Sequence, residues 1–315
     1  MEALLRHPWL RLLSSIYTTI TTTLLSLIPK IQRTTIFVPI IDSIMSLYFH
    51  FLDLSPCMIN LDDQTTMHFW VPRRPRLKKP NLVLIHGYGG NTKWQFMYQI
   101  NSLAKSFNVY LPDLLFFGNS YTLHKDRSET FQAKCVFEGL ERLGVERCTV
   151  YSISYGGFVG YRMAEIYPEM VEKVVIVSSG IGCTVHQKNE QLKNVGGNNH
   201  NNNNDHDNDN NNNNDNVFDL LLPEKPKDLR MLVNLSIYKF NPFKWIPDFF
   251  LQEFINMMCD SNRKEKRELI EHLLANQTAC ETSVLKQDAL LVWGDKDKVF
   301  PLTFAYQLQR SPSSS

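Results

Sequence analysis

Short apolar runs separated by helix-length segments set the tightest limit on what this chain can fold into. Residues 82–85 (Leu-Val-Leu-Ile), 108–112, 148–153 and 174–177 are each four to six residues long and largely apolar, and a fifth run at 289–293 matches them. A continuous apolar run of that length suits a strand buried on both faces of a parallel sheet. Between the runs lie amphipathic stretches, with helices expected at 131–143 and from about 157 to 167, where Pro168 stops the second. Another strand is expected at 66–71, followed by a polar turn over 73–80. Alternation of this kind predicts an α/β chain with a doubly wound, mostly parallel sheet.

The 315 residues exceed what one such domain needs, and 43% hydrophobic composition permits a large core. Lys and Arg total 33 against 32 for Asp and Glu, so no global charge draws the chain to nucleic acid or to an anionic membrane. Partners must therefore be sought locally. The six cysteines are scattered without zinc-like pairing, which points to a reducing, intracellular compartment and to no metal or cofactor.

Four segments are expected. Residues 1–58 form a hydrophobic or amphipathic extension, 59–182 the first part of the core, 183–288 a helical insertion, and 289–315 the last part of the core. Within the extension no charge occurs from 12 to 28, near the lower limit for a membrane span, but eight Ser and Thr dilute it. Glu2 is the only acid in the first forty residues, which suits an organelle leader as well. Membrane contact and organelle targeting both stay open. Phe37, Ile40, Ile41, Ile44, Tyr48, Phe51 and Leu52 fall at helical spacing, as a packing helix or an interfacial one would place them. In the insertion, 194–216 is almost pure Asn and Asp and too polar to form a core. The alternating Asp205, Asp207 and Asp209 lack the Gly and Glu of a calcium loop. Residues 220–274 are rich in Phe, Leu, Ile and Met, as a cap over an apolar pocket would be.

Chemistry concentrates at Ser154. The run Ser152-Ile153-Ser154-Tyr155-Gly156-Gly157 turns from a strand into a helix through small residues, which would thrust the Ser154 hydroxyl out at the sheet's end. Together with His86-Gly87-Tyr88-Gly89-Gly90, Pro112-Asp113-Leu114 with Gly118-Asn119-Ser120, and the 293–301 run Trp-Gly-Asp-Lys-Asp-Lys-Val-Phe-Pro, these residues resemble the α/β-hydrolase superfamily over about 59–309. They are most similar to its capped plant members of epoxide-hydrolase and monoacylglycerol-lipase type. The resemblance implies Ser154 as nucleophile, Asp297 as the acid of a triad (with Asp295 as competitor, more suited to shaping the turn), and the N–H groups of Tyr88 and Tyr155 as an oxyanion hole. His86, Gly87, Gly89 and Gly156 would shape the loop and elbow.

Two features depart from the pattern. Ser152 stands where the elbow has its first glycine. The resemblance also implies a further strand and a histidine after Asp297, yet all nine histidines precede it and the sequence ends in Ser311-Pro312-Ser313-Ser314-Ser315. The expectation is a serine hydrolase cut short, lacking its last strand and helix and inactive or very weak in this form. A serine rather than a carboxylate nucleophile favours esters with a hydrophobic acyl group. A non-catalytic small-molecule binder on the same fold is the alternative.

Overall fold

The computed structural model describes residues 36–183, 187, 221–239, 241–275 and 285–310. The expected leader or span within 1–35, the Asn-rich run and the alternating aspartates lie outside them. Eight strands form one sheet: β1 (Leu54–Asn60), β2 (Thr65–Pro72), β3 (Asn81–Ile85), β4 (Asn108–Pro112), β5 (Tyr121–Thr122), β6 (Cys148–Ile153), β7 (Val171–Val177) and β8 (Asp288–Val292). Their order is β1-β2-β4-β3-β6-β7-β8, with β5 beside β2. From β4 to β8 all neighbours are parallel, whereas β2 runs antiparallel to β1, β4 and β5. The α/β architecture is as expected.

Period-two alternation divides the core into two layers. Val83 and Ile85 face a cluster with α4 (Glu129–Arg142) and α5 (Tyr155–Ile166), while Leu82 and Leu84 face Phe49, Phe96 and Ile100 from α1 (Phe37–Phe51), α2 (Thr92–Phe96) and α3 (Ile100–Ser106). Ser128 starts α4 two residues before the expected position because its Oγ accepts the Phe131 N–H at 3.1 Å. β1 is not among the strands expected from the apolar runs. It begins at Leu54, inside the expected extension, and holds Pro56 at the sheet's edge, where a missing N–H is tolerated.

The stripe read on α1 also lands differently. Val38, Met45 and Phe49 are the buried residues, and Phe37, Ile40, Ile44 and Phe51 turn outward. Asp42 fixes that rotation by accepting from Lys93 Nζ at 2.5 Å and Trp94 Nε1 at 3.1 Å.

Between β7 and β8 come α6 (Pro226–Ser236), α7 (Asp248–Met258) and α8 (Arg263–Ala275); α9 (Leu302–Arg310) follows β8. α7 packs on α1, with the Val38 N–H donating to buried Glu253 Oε2 at 2.9 Å. β8 ends the sheet, pairing with β7 alone among the described strands, and Leu290 and Val292 stay exposed there.

Lys266 on α8 is a buried cation. Its Nζ donates to the carbonyls of Met258 (2.7 Å) and Ser261 (2.6 Å) and faces the Phe117 ring, with no carboxylate partner among the described residues. Burial pushes its pKa down to about 8. A lysine whose folded value lies below its unfolded one costs stability wherever the unfolded chain keeps the proton, and that cost fades as pH rises from about 8 to 10.5. The difference corresponds to roughly 3 kcal/mol. Urea unfolding at pH 7.5 and pH 10 should therefore show the wild type gaining relative to Lys266→Met as pH rises. A gap that stays constant with pH would refute this.

Candidate active site

The elbow is built as the sequence suggests. Ser154 joins β6 directly to α5 with φ 53° and ψ −119°, a left-handed conformation that non-glycine residues rarely hold. Its N–H donates to the Val177 carbonyl at 3.0 Å, and its own carbonyl accepts from the Gly157 N–H at 2.9 Å. The helix consequently starts at Tyr155, two residues before the expected position. A Cβ on Gly156 would stand 2.3 Å from the His86 carbonyl oxygen and 2.7 Å from that of Ile85, so only glycine lets α5 start against β3. Ser152, the departure from the pattern, is fully buried and donates to the Val175 carbonyl at 3.2 Å. Room for it comes from Gly160 on α5, where an added Cβ would lie 2.7 Å from Ser152 Oγ. The bulk lost at one position is regained one helical turn along.

The 86–90 loop lies against the elbow: a Cβ built on Gly87 would be 3.2 Å from Ser154 Cβ. Tyr155 opens α5, so its N–H has no intrahelical acceptor. Neither that N–H nor the Tyr88 N–H donates to another described residue. Gly89, with φ 95°, makes the turn beyond Tyr88. The Tyr88 and Tyr155 rings meet edge to face at 6.0 Å, and burial raises both phenols well above their ordinary pKa, keeping them neutral.

His86 is committed elsewhere. Its Nε2 accepts the Leu114 N–H at 3.0 Å, which places the proton on Nδ1, the donor to the Gly87 carbonyl at 2.7 Å. Burial lowers its pKa. With both nitrogens occupied it shapes the loop and has no lone pair free for Ser154.

Asp113 is likewise structural. It accepts from His68 Nδ1 (2.8 Å) and from the Thr92 (3.0 Å) and Asn119 (3.3 Å) N–H groups. Burial pushes its carboxyl up, but the His68 bond and charge outweigh that and hold it below its ordinary value. Gly118, at φ 53°, wraps around this carboxylate, and a Cβ there would overlap it. Ser120 Oγ donates to the Asp113 carbonyl at 2.7 Å and accepts the His68 N–H at 2.8 Å. The spacing of Asp113, Gly118 and Ser120 is therefore the signature of a knot that anchors the loop. His68 belongs to this knot, and its place in a strand gave no sign of it.

After β8, Asp297 Oδ1 accepts the N–H groups of Val299 and Phe300, both at 2.9 Å. Asp297 thus organises this turn, while Asp295, expected in that role, is exposed. Val299 and Phe300 then reach a cavity of about 100 Å³ over Ser154, whose far wall is Ile270, Leu273 and Leu274 of α8. Asp297 itself is not among the lining residues. No histidine lines the cavity among the described residues, and His272, although on α8, is not part of the wall. His186, His200 and His206 lie outside the described residues.

The profile of the family described as alpha/beta hydrolase fold matches residues 80–315. An uncharacterised protein of Mycobacterium tuberculosis is 36% identical over 102 residues, covering 32% of this chain and 29% of its own length. Epoxide hydrolase 4 of Homo sapiens is 24% identical over 127 residues, or 39% of this chain and 34% of its own. The chain thus spans about a third of the length of these curated relatives. Among solved structures, a putative lipase from Acinetobacter baumannii superposes with a TM-score of 0.65 at 20% identity, covering 85% of this chain and 83% of that one. These relatives are bacterial and mammalian, which removes the restriction to plant members. With three quarters of its length matched by the profile, the chain belongs to the α/β-hydrolase fold family.

Proposed function

We propose that the Ser154 cavity is the acyl-transfer site of a serine hydrolase acting on carboxylic esters with a hydrophobic acyl group. One observation carries the reading: an elbow serine held at φ 53°, with the Gly87 backbone in contact and two uncommitted N–H groups beside it. Such donors stabilise the oxyanion of a tetrahedral intermediate, and their worth is greatest where water is excluded. The wall supports an apolar acyl group, since Phe158, Ile270, Leu273, Leu274 and Phe304 present no polar atom to it. In this reading α6 to α8 serve as a cap, and Asp297, bound to two backbone amides, is the acid of a triad whose histidine is not among the described residues of the cavity wall. Among the described residues the hydroxyl then lacks the base that would take its proton.

A labelled alkyl fluorophosphonate tests the assignment. Wild-type protein should form an adduct on the peptide containing Ser154, slowly alone and faster with added imidazole, while Ser154→Ala forms none. Stabilisation by a fatty acid without any Ser154 adduct, even with imidazole, would instead make the fold a small-molecule binder.

A further inference from the structure

The outward side of α1 has no structural reason to be apolar. Phe37, Ile40, Ile44, Leu47 and Phe51 recur at three- and four-residue intervals and form one ridge about 21 Å long. Their exposure climbs along the helix, from 39% at Phe37 through 58% at Ile44 to 86% at Phe51. Asp42, the only acidic or basic residue on this helix apart from His50, points inward to Lys93. No charge therefore interrupts the ridge. Contiguous apolar surface of this kind marks a surface that meets something.

Tertiary structure places the chain's most concentrated basic run beside it. The turn joining β2 to β3 holds Arg73, Arg74, Arg76, Lys78 and Lys79, none paired with a carboxylate among the described residues. The Arg73 N–H donates to the Asp53 carbonyl at 2.9 Å, two residues beyond the end of α1, and the Arg73 guanidinium meets His50 Nδ1 at 2.9 Å. These two bonds tie the turn to the end of α1 where Phe51 is most exposed. Leu77, in the middle of the cations, is fully exposed.

We propose that the α1 ridge and the 73–79 turn together form a docking surface for an anionic lipid bilayer. The apolar ridge would enter the boundary between headgroups and acyl chains, and the arginines and lysines would meet the lipid phosphates and carboxylates. Charge complementarity decides between occupants. A second copy of the chain would bring five cations against five, whereas an anionic membrane offers apolar depth and negative charge on one surface. Near neutrality of the whole chain is no obstacle, because screening confines the effect to charges within about 10 Å of the membrane. The inference does not depend on the chemistry assigned to Ser154.

Flotation of the full chain with phosphatidylcholine vesicles, with or without phosphatidylserine, tests it. Binding should rise sharply with phosphatidylserine. An Ile44→Glu, Leu47→Glu variant should lose about tenfold or more of its partition, since both side chains are solvent-exposed and their replacement leaves the core intact. An Arg74→Ala, Arg76→Ala, Lys78→Ala variant should lose on the order of a hundredfold on phosphatidylserine vesicles and little on phosphatidylcholine. Thermal melts check that both fold, and either variant suffices if the other does not. Equal binding to the two vesicle types, or unchanged binding by a folded ridge variant, overturns the proposal. So does sedimentation showing that the ridge variant only turns a dimer into a monomer.

Discussion

Purified protein of this sequence is expected to hydrolyse p-nitrophenyl butyrate no faster than its Ser154→Ala variant. The reason is geometric. A serine hydroxyl attacks only when a base within hydrogen-bond reach accepts its proton, and among the described residues the cavity lining contains Ser154 and two tyrosines but no histidine. His86, on the loop against the elbow, has both nitrogens already engaged with Leu114 and Gly87. In a serine protease stripped of its histidine, turnover falls by about a millionfold, and what remains comes from binding and the oxyanion hole. Against an ordinary kcat of about 10 per second, that leaves a rate below detection in this assay. If Ser154 is the nucleophile proposed above, imidazole should restore Ser154-dependent turnover in part by accepting its proton. Substantial Ser154-dependent hydrolysis without imidazole would show that a base reaches the site from outside the described residues.

Gly156→Ala is expected to be among the most damaging single-methyl changes in the described part of the chain. The new Cβ would sit 2.3 Å and 2.7 Å from two backbone carbonyl oxygens of the β3 end, and neither can swing aside as a side-chain tip could. Relief requires α5 to lift from the sheet, which would open the contacts of Phe158 and Val159 in the main core. Overpacking of this severity costs about 3 kcal/mol or more. For a domain of this size that lowers the melting temperature by roughly 6–12 °C. The elbow and the 86–90 loop separate in the same movement, so fluorophosphonate labelling of Ser154 should fall as well. A melting temperature within a degree or two of wild type would mean that the crossing is looser than these distances state.

Much of this was legible before any coordinates. Strands buried on both faces announce themselves as apolar runs because both neighbouring layers demand it, so β3, β4, β6 and β7 were visible, as was Ser154 at the end of β6. Features that depend on a partner distant in sequence were not. β1 is an edge strand interrupted by Pro56 and ending in Asn60, recognisable only through its pairing with β2. The tolerance of Ser152 rests on Gly160, and the knot around Asp113 on His68, forty-five residues away. The apolar positions of α1 identified a helix but not the side it buries, because apolar residues run nearly all the way round it and the inward rotation is set by a single polar residue, Asp42, finding Lys93 and Trp94.

Local chemistry, then, was enough to determine the α/β layering and the position of Ser154 at the end of β6, since each follows from burial demands and backbone freedom within a few consecutive residues. Only the folded chain decided that no histidine among the described residues lines the Ser154 cavity, that Asp297 binds the Val299 and Phe300 amides, and that an apolar ridge and a basic turn share one surface. Those are statements about distance between remote segments, and distance is what a linear sequence leaves to packing.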